Sequence, residues 1–155
     1  MIYSDIDQVI HDYKLPLFNT LKDKHDISLE DVVLLEAGDL KDTLISKFGY
    51  SKKEYYDLIE DMDGLEEWIP TSFAEDILNF LRNMYEKNYE IIFVTARTSR
   101  RGAKNIIKKA FGQKMPIIQC EAQNKKYVVR DSRIFFEDKA ETVEACAKEN
   151  PNSLI

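Results

Sequence analysis

The sequence predicts an α/β protein: a parallel sheet with a small helical module inserted after its first strand. Three observations carry this. The chain opens on a short β-rich run, Met1-Ile-Tyr-Ser-Asp5, and the next such run, Tyr89-Glu-Ile-Ile-Phe-Val-Thr95, comes only after a long helical stretch. From Pro70 onward, strand-like and helix-like segments alternate, which is the pattern of right-handed βαβ crossovers and a parallel sheet. The run over 89–95 is nearly continuous in apolar residues, as a strand covered on both faces is.

The elements follow in order. Residues 1–5 form the first strand. From about Asp12 to Gly64 the pattern is helical and charged, and Gly38, Gly49 and Gly64 break it. Ser28 with Asp31, and Ser51 with Glu54, have the spacing of helix-start capping pairs. The module is rich in aromatic residues: Tyr13, Phe18, Phe48, Tyr50, Tyr55 and Tyr56, with Trp68 just beyond. These boundaries give a core over 1–10 and 70–155 and an insertion over 11–69. Ser72 and Glu75 form another capping pair, and Phe73, Ile77, Phe80, Leu81 and Met84 then recur on one helical face. A strand over 89–95 precedes a helix over 100–111. Pro116 to Cys120 is a third strand, its proline at the first position, where a ladder donor is least missed. Arg133 to Glu137 is a fourth. A helix over 140–148 leads to a short last strand, Ser153 to Ile155.

Composition narrows the function. At 155 residues the chain is one domain, or a core with a small insertion. Charged residues make up 32%, with both signs interspersed, so a folded chain is expected. The net charge is −6 and no basic stripe stands out along the sequence. A nucleic-acid polymer is therefore not expected as a partner, whereas local positive groups still suit a small phosphorylated substrate. Cys120 and Cys146 suit neither a disulfide scaffold nor a zinc site, and reduced thiols in a cytoplasmic protein are the expected state. The sequence shows neither a signal-peptide pattern nor an apolar run of membrane-spanning length, so no membrane partner is expected. His11 and His25 lack metal-ligand spacing and are expected at the surface.

The chemistry gathers at strand ends. In a parallel sheet the carboxyl ends of the strands share one edge, where ligands bind in open α/β sheets. Asp5 and Asp7 are spaced i, i+2, so both reach the same side. Thr95, followed by Ala96 and Arg97, ends the second strand. Glu137-Asp138 closes the fourth, and Lys125-Lys126 lie in the connection before it. Each group has a plainer reading: a polar strand end, a strand-end hydroxyl, a solvated lysine, a helix-start charge pair. Together they form a coherent set. Hard oxygen ligands suit Mg²⁺. One carboxylate can attack phosphorus while a second moves the proton. A hydroxyl, backbone amides and an ammonium can hold phosphoryl oxygens.

In motif and order, these residues resemble the haloacid dehalogenase (HAD) superfamily of phosphohydrolases. Asp5-Ile-Asp7-Gln-Val9 resembles its first motif, Val-Thr95-Ala-Arg its second, Lys126 the lysine of its third, and Phe-Phe-Glu137-Asp138 its acidic fourth. The resemblance spans nearly the whole chain. It implies a Rossmann-like core, with 11–69 as a helical cap. It further implies Asp5 as nucleophile, Asp7 as general acid and base, and Lys126 on the phosphoryl group. Mg²⁺ would be held by Asp5, the Asp7 backbone carbonyl, Asp138 and Glu137. Thr95, Ala96 and Arg97 would bind substrate. The finer likeness is to the 5′(3′)-deoxyribonucleotidase branch, which implies a nucleoside monophosphate, with Phe18 of the cap stacking on its base. Gln8 departs from the pattern, since many relatives carry Gly or another small residue there. The alternatives are a catalytically idle phospho-ligand or protein-binding module, and a phosphotransferase using the same intermediate. A receiver domain carries its phosphorylated Asp in mid-chain, and the acidic pair closing the fourth strand argues against one.

Overall fold

The computed structural model of the chain describes residues 1–12, 21–22, 40–64, 68–97 and 99–155, with the backbone alone at 40 and 59–64. The Ser28–Asp31 pair, Tyr13, Phe18, His25 and Gly38 lie outside the described residues. The chain divides into two compact units, Met1–Asp12 with Glu67–Ile155, and Tyr13–Glu66.

The first unit is an α/β layer structure. Strands β1 (Ile2–Asp5), β2 (Ile91–Thr95), β3 (Ile117–Gln119) and β4 (Ile134–Phe136) form a sheet in the order β3-β2-β1-β4. Every pairing is parallel, with Ile2 opposite both Ile91 and Ile134. Helix α3 (Ala74–Glu86) joins β1 and the insertion to β2, α4 (Arg100–Phe111) joins β2 to β3, and α6 (Ala140–Glu149) follows β4. Between β3 and β4 lie a 3₁₀ turn, Ala122–Asn124, and the one-turn helix α5, Lys125–Val128.

Alternation along the central strands feeds two cores. Ile2, Ile6, Ile91 and Phe93 pack with Leu78 and Leu81 of α3 and with Ala103, Ile106 and Ile107 of α4. Tyr3, Ile92, Val94 and Phe135 pack with Val129 and with Cys146 of α6. Both faces of β1 and β2 are covered, which is why Ile91–Val94 of β2 reads as a continuous apolar run. Leu81 is completely buried, and Leu81→Ala should cost about 2–5 kcal/mol through lost transfer energy and the cavity left behind. A urea-unfolding loss below about 0.5 kcal/mol, the level of an ordinary surface substitution, would show that α3 is not packed on this sheet.

Local chemistry explains where elements begin and end. Tyr89 N–H bonds back to the Met84 carbonyl (3.0 Å) beside Asn88 in the left-handed region (φ 64°), so β2 starts at Ile91 and not at Tyr89. Ser72 does not cap α3. The N-cap is Phe73, without a side-chain bond, so Ser72 sits one position too early. Helix α4 has a side-chain cap, Gly102 N–H donating to Ser99 Oγ (3.0 Å), and ends at Gly112 (φ 84°). The last strand shrinks to one parallel bridge, Leu154 to Ile134, because Ser153 is tied into a turn by its N–H to the Asn150 carbonyl and by its hydroxyl to Ser132.

The second unit contains α1 (Leu40–Phe48) and α2 (Lys52–Gly64). Gly49 (φ 70°) stands between them. The Ser51–Glu54 capping box is formed: Glu54 N–H donates to Ser51 Oγ (3.2 Å), and Ser51 N–H to Glu54 Oε2 (2.8 Å). Leu44 and Leu58 are buried. Among the described residues no helix is long and apolar enough to cross a membrane.

Segments 9–12 and 68–71 of the first unit are clasped to each other. His11 bridges Pro70, Asp12 N–H donates to the Ile69 carbonyl (2.8 Å), Trp68 Nε1 to the Ile10 carbonyl (3.0 Å) and Thr71 Oγ1 to the Val9 carbonyl (2.8 Å). The first unit therefore extends past residue 10 and begins again before residue 70.

Candidate active site

The carboxyl ends of the parallel strands lie at one edge, and the predicted acids stand there. Asp5 closes β1 and is buried. Its Oδ1 accepts the Ile6 N–H (2.8 Å), and its Oδ2 accepts Lys125 Nζ (2.5 Å). The same ammonium donates to Glu137 Oε2 (2.9 Å), just past β4. The side chains of Lys125 and Glu137 are 3% and 0% exposed. A buried cation thus bridges two buried carboxylates.

Lys125, and not Lys126, is the lysine of this site. Lys126 is half-buried and lies 4.8 Å from the ring centroid of Tyr127. Successive helical residues are rotated by about 100°, so only one of the adjacent pair faces Asp5. The helical backbone runs on from the 3₁₀ turn Ala122–Asn124 into α5, and its phase there turns Lys125 to Asp5.

Asp5, Glu137 and Asp138 each place a carboxylate oxygen within 4.8 Å of the others. Burial pushes the Asp5 carboxyl up to about 7, against the lowering effect of Lys125 and helped by Glu137 and Asp7. Burial, then the adjoining Glu137, raises that of Asp138. Three acids beside one ammonium carry more negative than positive charge, and a hard divalent cation held by oxygen would relieve the excess. The Asp7 carbonyl accepts no backbone hydrogen bond among the described residues. The donor set fits Mg²⁺.

The Asp7 side chain pairs with Arg97. Arg97 Nε donates to Asp7 Oδ1 (2.8 Å) and Oδ2 (3.0 Å), and the two side chains are 10% and 22% exposed. Thr95 is buried, and its Oγ1 accepts the Arg97 N–H (3.1 Å). Gln119, ending β3, donates through Nε2 to the Arg97 carbonyl. Ala96 is exposed between them. Arg97, expected on substrate, thus turns its Nε to the carboxylate predicted as general acid.

His11 also differs from its sequence expectation, and Gln8 shows what its departure from the motif entails. His11 is buried, not at the surface. Its Nδ1 accepts the Ile69 N–H (3.3 Å), and burial, then Arg97, lowers its pKa to about 4. A histidine followed by charged residues carries no signal of this. Gln8 adopts the left-handed region (φ 58°), which costs a non-glycine residue roughly 1–2 kcal/mol. Glycine meets that demand without strain. Here it is offset by Gln8 N–H to the His11 carbonyl (2.8 Å) and by Gln8 Nε2 to Asp12 Oδ1 (3.2 Å).

No protein-family model matches the sequence, and no curated protein sequence matches it. Among solved structures, the chain is similar to the crystal structure of a HAD-superfamily hydrolase from Ehrlichia chaffeensis. The two are 13% identical, with a TM-score of 0.49 over 96% of this chain and 83% of that one. The parallel sheet and the side chains gathered at its edge stand independently of that likeness.

Proposed function

We propose that the protein is a Mg²⁺-dependent phosphomonoester hydrolase acting through an aspartyl-phosphate. One observation carries this: a buried Asp5 at the end of the central strand meets Lys125, Glu137 and Asp138, with Asp7 two residues on. Asp5, Glu137, Asp138 and the Asp7 carbonyl would hold the metal, which supplies positive charge toward the phosphoryl oxygens when bound.

An Asp5 carboxylate oxygen attacks phosphorus. The new O–P bond forms as the bond to the leaving oxygen breaks, and Asp7 gives that oxygen its proton. Asp7 then takes a proton from the water that attacks the same phosphorus, which frees Asp5 and inorganic phosphate. Thr95, the Ala96 amide, Lys125 and, once it parts from Thr95 Oγ1, the Arg97 amide would surround the phosphoryl group and stabilise its developing charge. Lys125 also keeps Asp5 and Glu137 from repelling each other. For Asp7 to carry a proton, one of its oxygens must part from Arg97.

A nucleoside monophosphate is the leading small substrate. The segment 11–69 is the proposed cap, with Phe18 the nominee for stacking on the base. The test is a phosphatase screen over phosphorylated metabolites with Mg²⁺. EDTA should abolish turnover and Mg²⁺ restore it, and Asp138→Ala should raise the Mg²⁺ concentration needed by about tenfold or more, since losing even an outer-shell partner of a metal ligand usually costs about that much affinity. Full activity in chelator would remove the metal assignment. A screen that favours sugar phosphates would remove the nucleotide reading.

A further inference from the structure

Helix α4 changes the expectation about partners. Read along the chain, its cations are interleaved with Gly102, Ala103, Ile106, Ile107 and Ala110, which are all buried. Folding sorts the two kinds onto opposite faces. Every exposed residue of α4 is basic: Arg100, Arg101, Lys104, Lys108 and Lys109. The helix contains no acid at all. Among the described residues, Arg100, Lys104 and Lys108 form no ion pair. Lys114, also exposed, continues the charge beyond the helix.

This face stands on a chain of net charge −6. A merely solvated helix in such a protein would carry both signs. Charges farther apart than about 8–10 Å are screened at physiological salt, so a local face of one sign governs what approaches it. Arg100, Lys104 and Lys108 follow one another at four-residue steps, about 6 Å along the axis and about 40° around it, and form a gently winding row of cations. A line of regularly spaced phosphates is its complement.

The face also begins at the candidate site. Strand β2 ends at Thr95, Arg97 pairs with Asp7, and α4 starts at Arg100. From that edge the helix returns along the sheet, so the cations lead away from the place where a phosphate would be hydrolysed.

We propose that the substrate is the terminal phosphate of a single-stranded nucleic acid, with the following phosphates of the strand lying along α4. This rests on the phosphohydrolase reading and enlarges its nucleotide: the terminal nucleotide occupies the site, and the strand supplies further interactions. Base identity is not read by this face, because bonds to phosphate position a strand without specifying its sequence.

The test separates binding from turnover. Fluorescence anisotropy of the full chain with an unphosphorylated twelve-residue oligothymidylate, or the oligouridylate, needs no catalysis. Binding should weaken steeply with salt. R100E/K104E/K108E should weaken it by about tenfold or more. R100Q/K104Q/K108Q should flatten the log–log salt dependence by about 2, since each phosphate left without its cation lowers the slope by about 0.7. Circular dichroism should stay unchanged, because all three side chains are exposed. The charge-reversed variant should keep its turnover of a small aryl phosphate and lose the parent's kcat/KM advantage for a terminally phosphorylated oligonucleotide over a mononucleotide. Absent turnover with intact, α4-dependent binding would reject the phosphohydrolase reading and leave the nucleic-acid face standing. Oligonucleotide binding that is absent or insensitive to both variants would overturn the proposal. So would preferential binding of anionic lipid vesicles or an acidic peptide to the same face.

Discussion

Asp5→Asn is expected to lower phosphomonoester turnover by about 10³-fold or more while the protein remains folded. The amide has no carboxylate oxygen with which to attack phosphorus, so the covalent route closes. Its single carbonyl oxygen can replace one of two present acceptors, for Ile6 N–H or for Lys125 Nζ, so a modest loss of stability accompanies the loss of rate. Steady-state kinetics with an aryl phosphate, beside a thermal melt, separates the two effects. Turnover within about tenfold of the parent would remove Asp5 from the nucleophile's role.

The two adjacent lysines should differ sharply. Lys125→Ala leaves the Asp5 and Glu137 carboxylates buried without their shared cation. Removing one partner from a buried charge cluster costs about 3–5 kcal/mol, and losing an ammonium at the phosphoryl group should cost about 10²–10³ in kcat. Lys125→Met keeps the apolar stem and discards the charge, so it carries the rate test if the alanine variant unfolds. Lys126→Ala removes only a partly exposed cation beside the neighbouring Tyr127 ring, worth about 0.5–1 kcal/mol, and should leave kcat within about twofold. Urea midpoints and kcat for all three variants decide the matter. Equal, mild effects at both positions would mean that the phosphoryl group is held without a lysine.

The parallel sheet was legible because burial on both faces leaves a direct trace, the unbroken apolar run of Ile91–Val94, and because strand-like and helix-like segments alternate after Pro70. The helices behind it were legible because their apolar residues recur at the helical period of about 3.6. The candidate site was legible in part for a topological reason: in a parallel sheet, residues at strand ends share an edge wherever they stand in the chain. Asp5, Thr95 and Glu137-Asp138 therefore emerged from strand boundaries alone.

What the sequence by itself determined is the architecture and the chemical kinds at the sheet edge: acids, a hydroxyl, a lysine and an arginine. Tertiary structure decided which members of those kinds meet. Lys125 and Lys126 are identical in chemistry and adjacent in the chain, and only the phase of the helical turn they share tells them apart. Arg97 reaches Asp7 across ninety positions, and His11 is buried by Ile69 and its neighbours, pairings that no local pattern encodes. The basic face of α4 does not stand out as a stripe along the chain because apolar residues separate its cations. It exists only once the helix turns those residues inward, where burial holds them, and leaves the charges together in water.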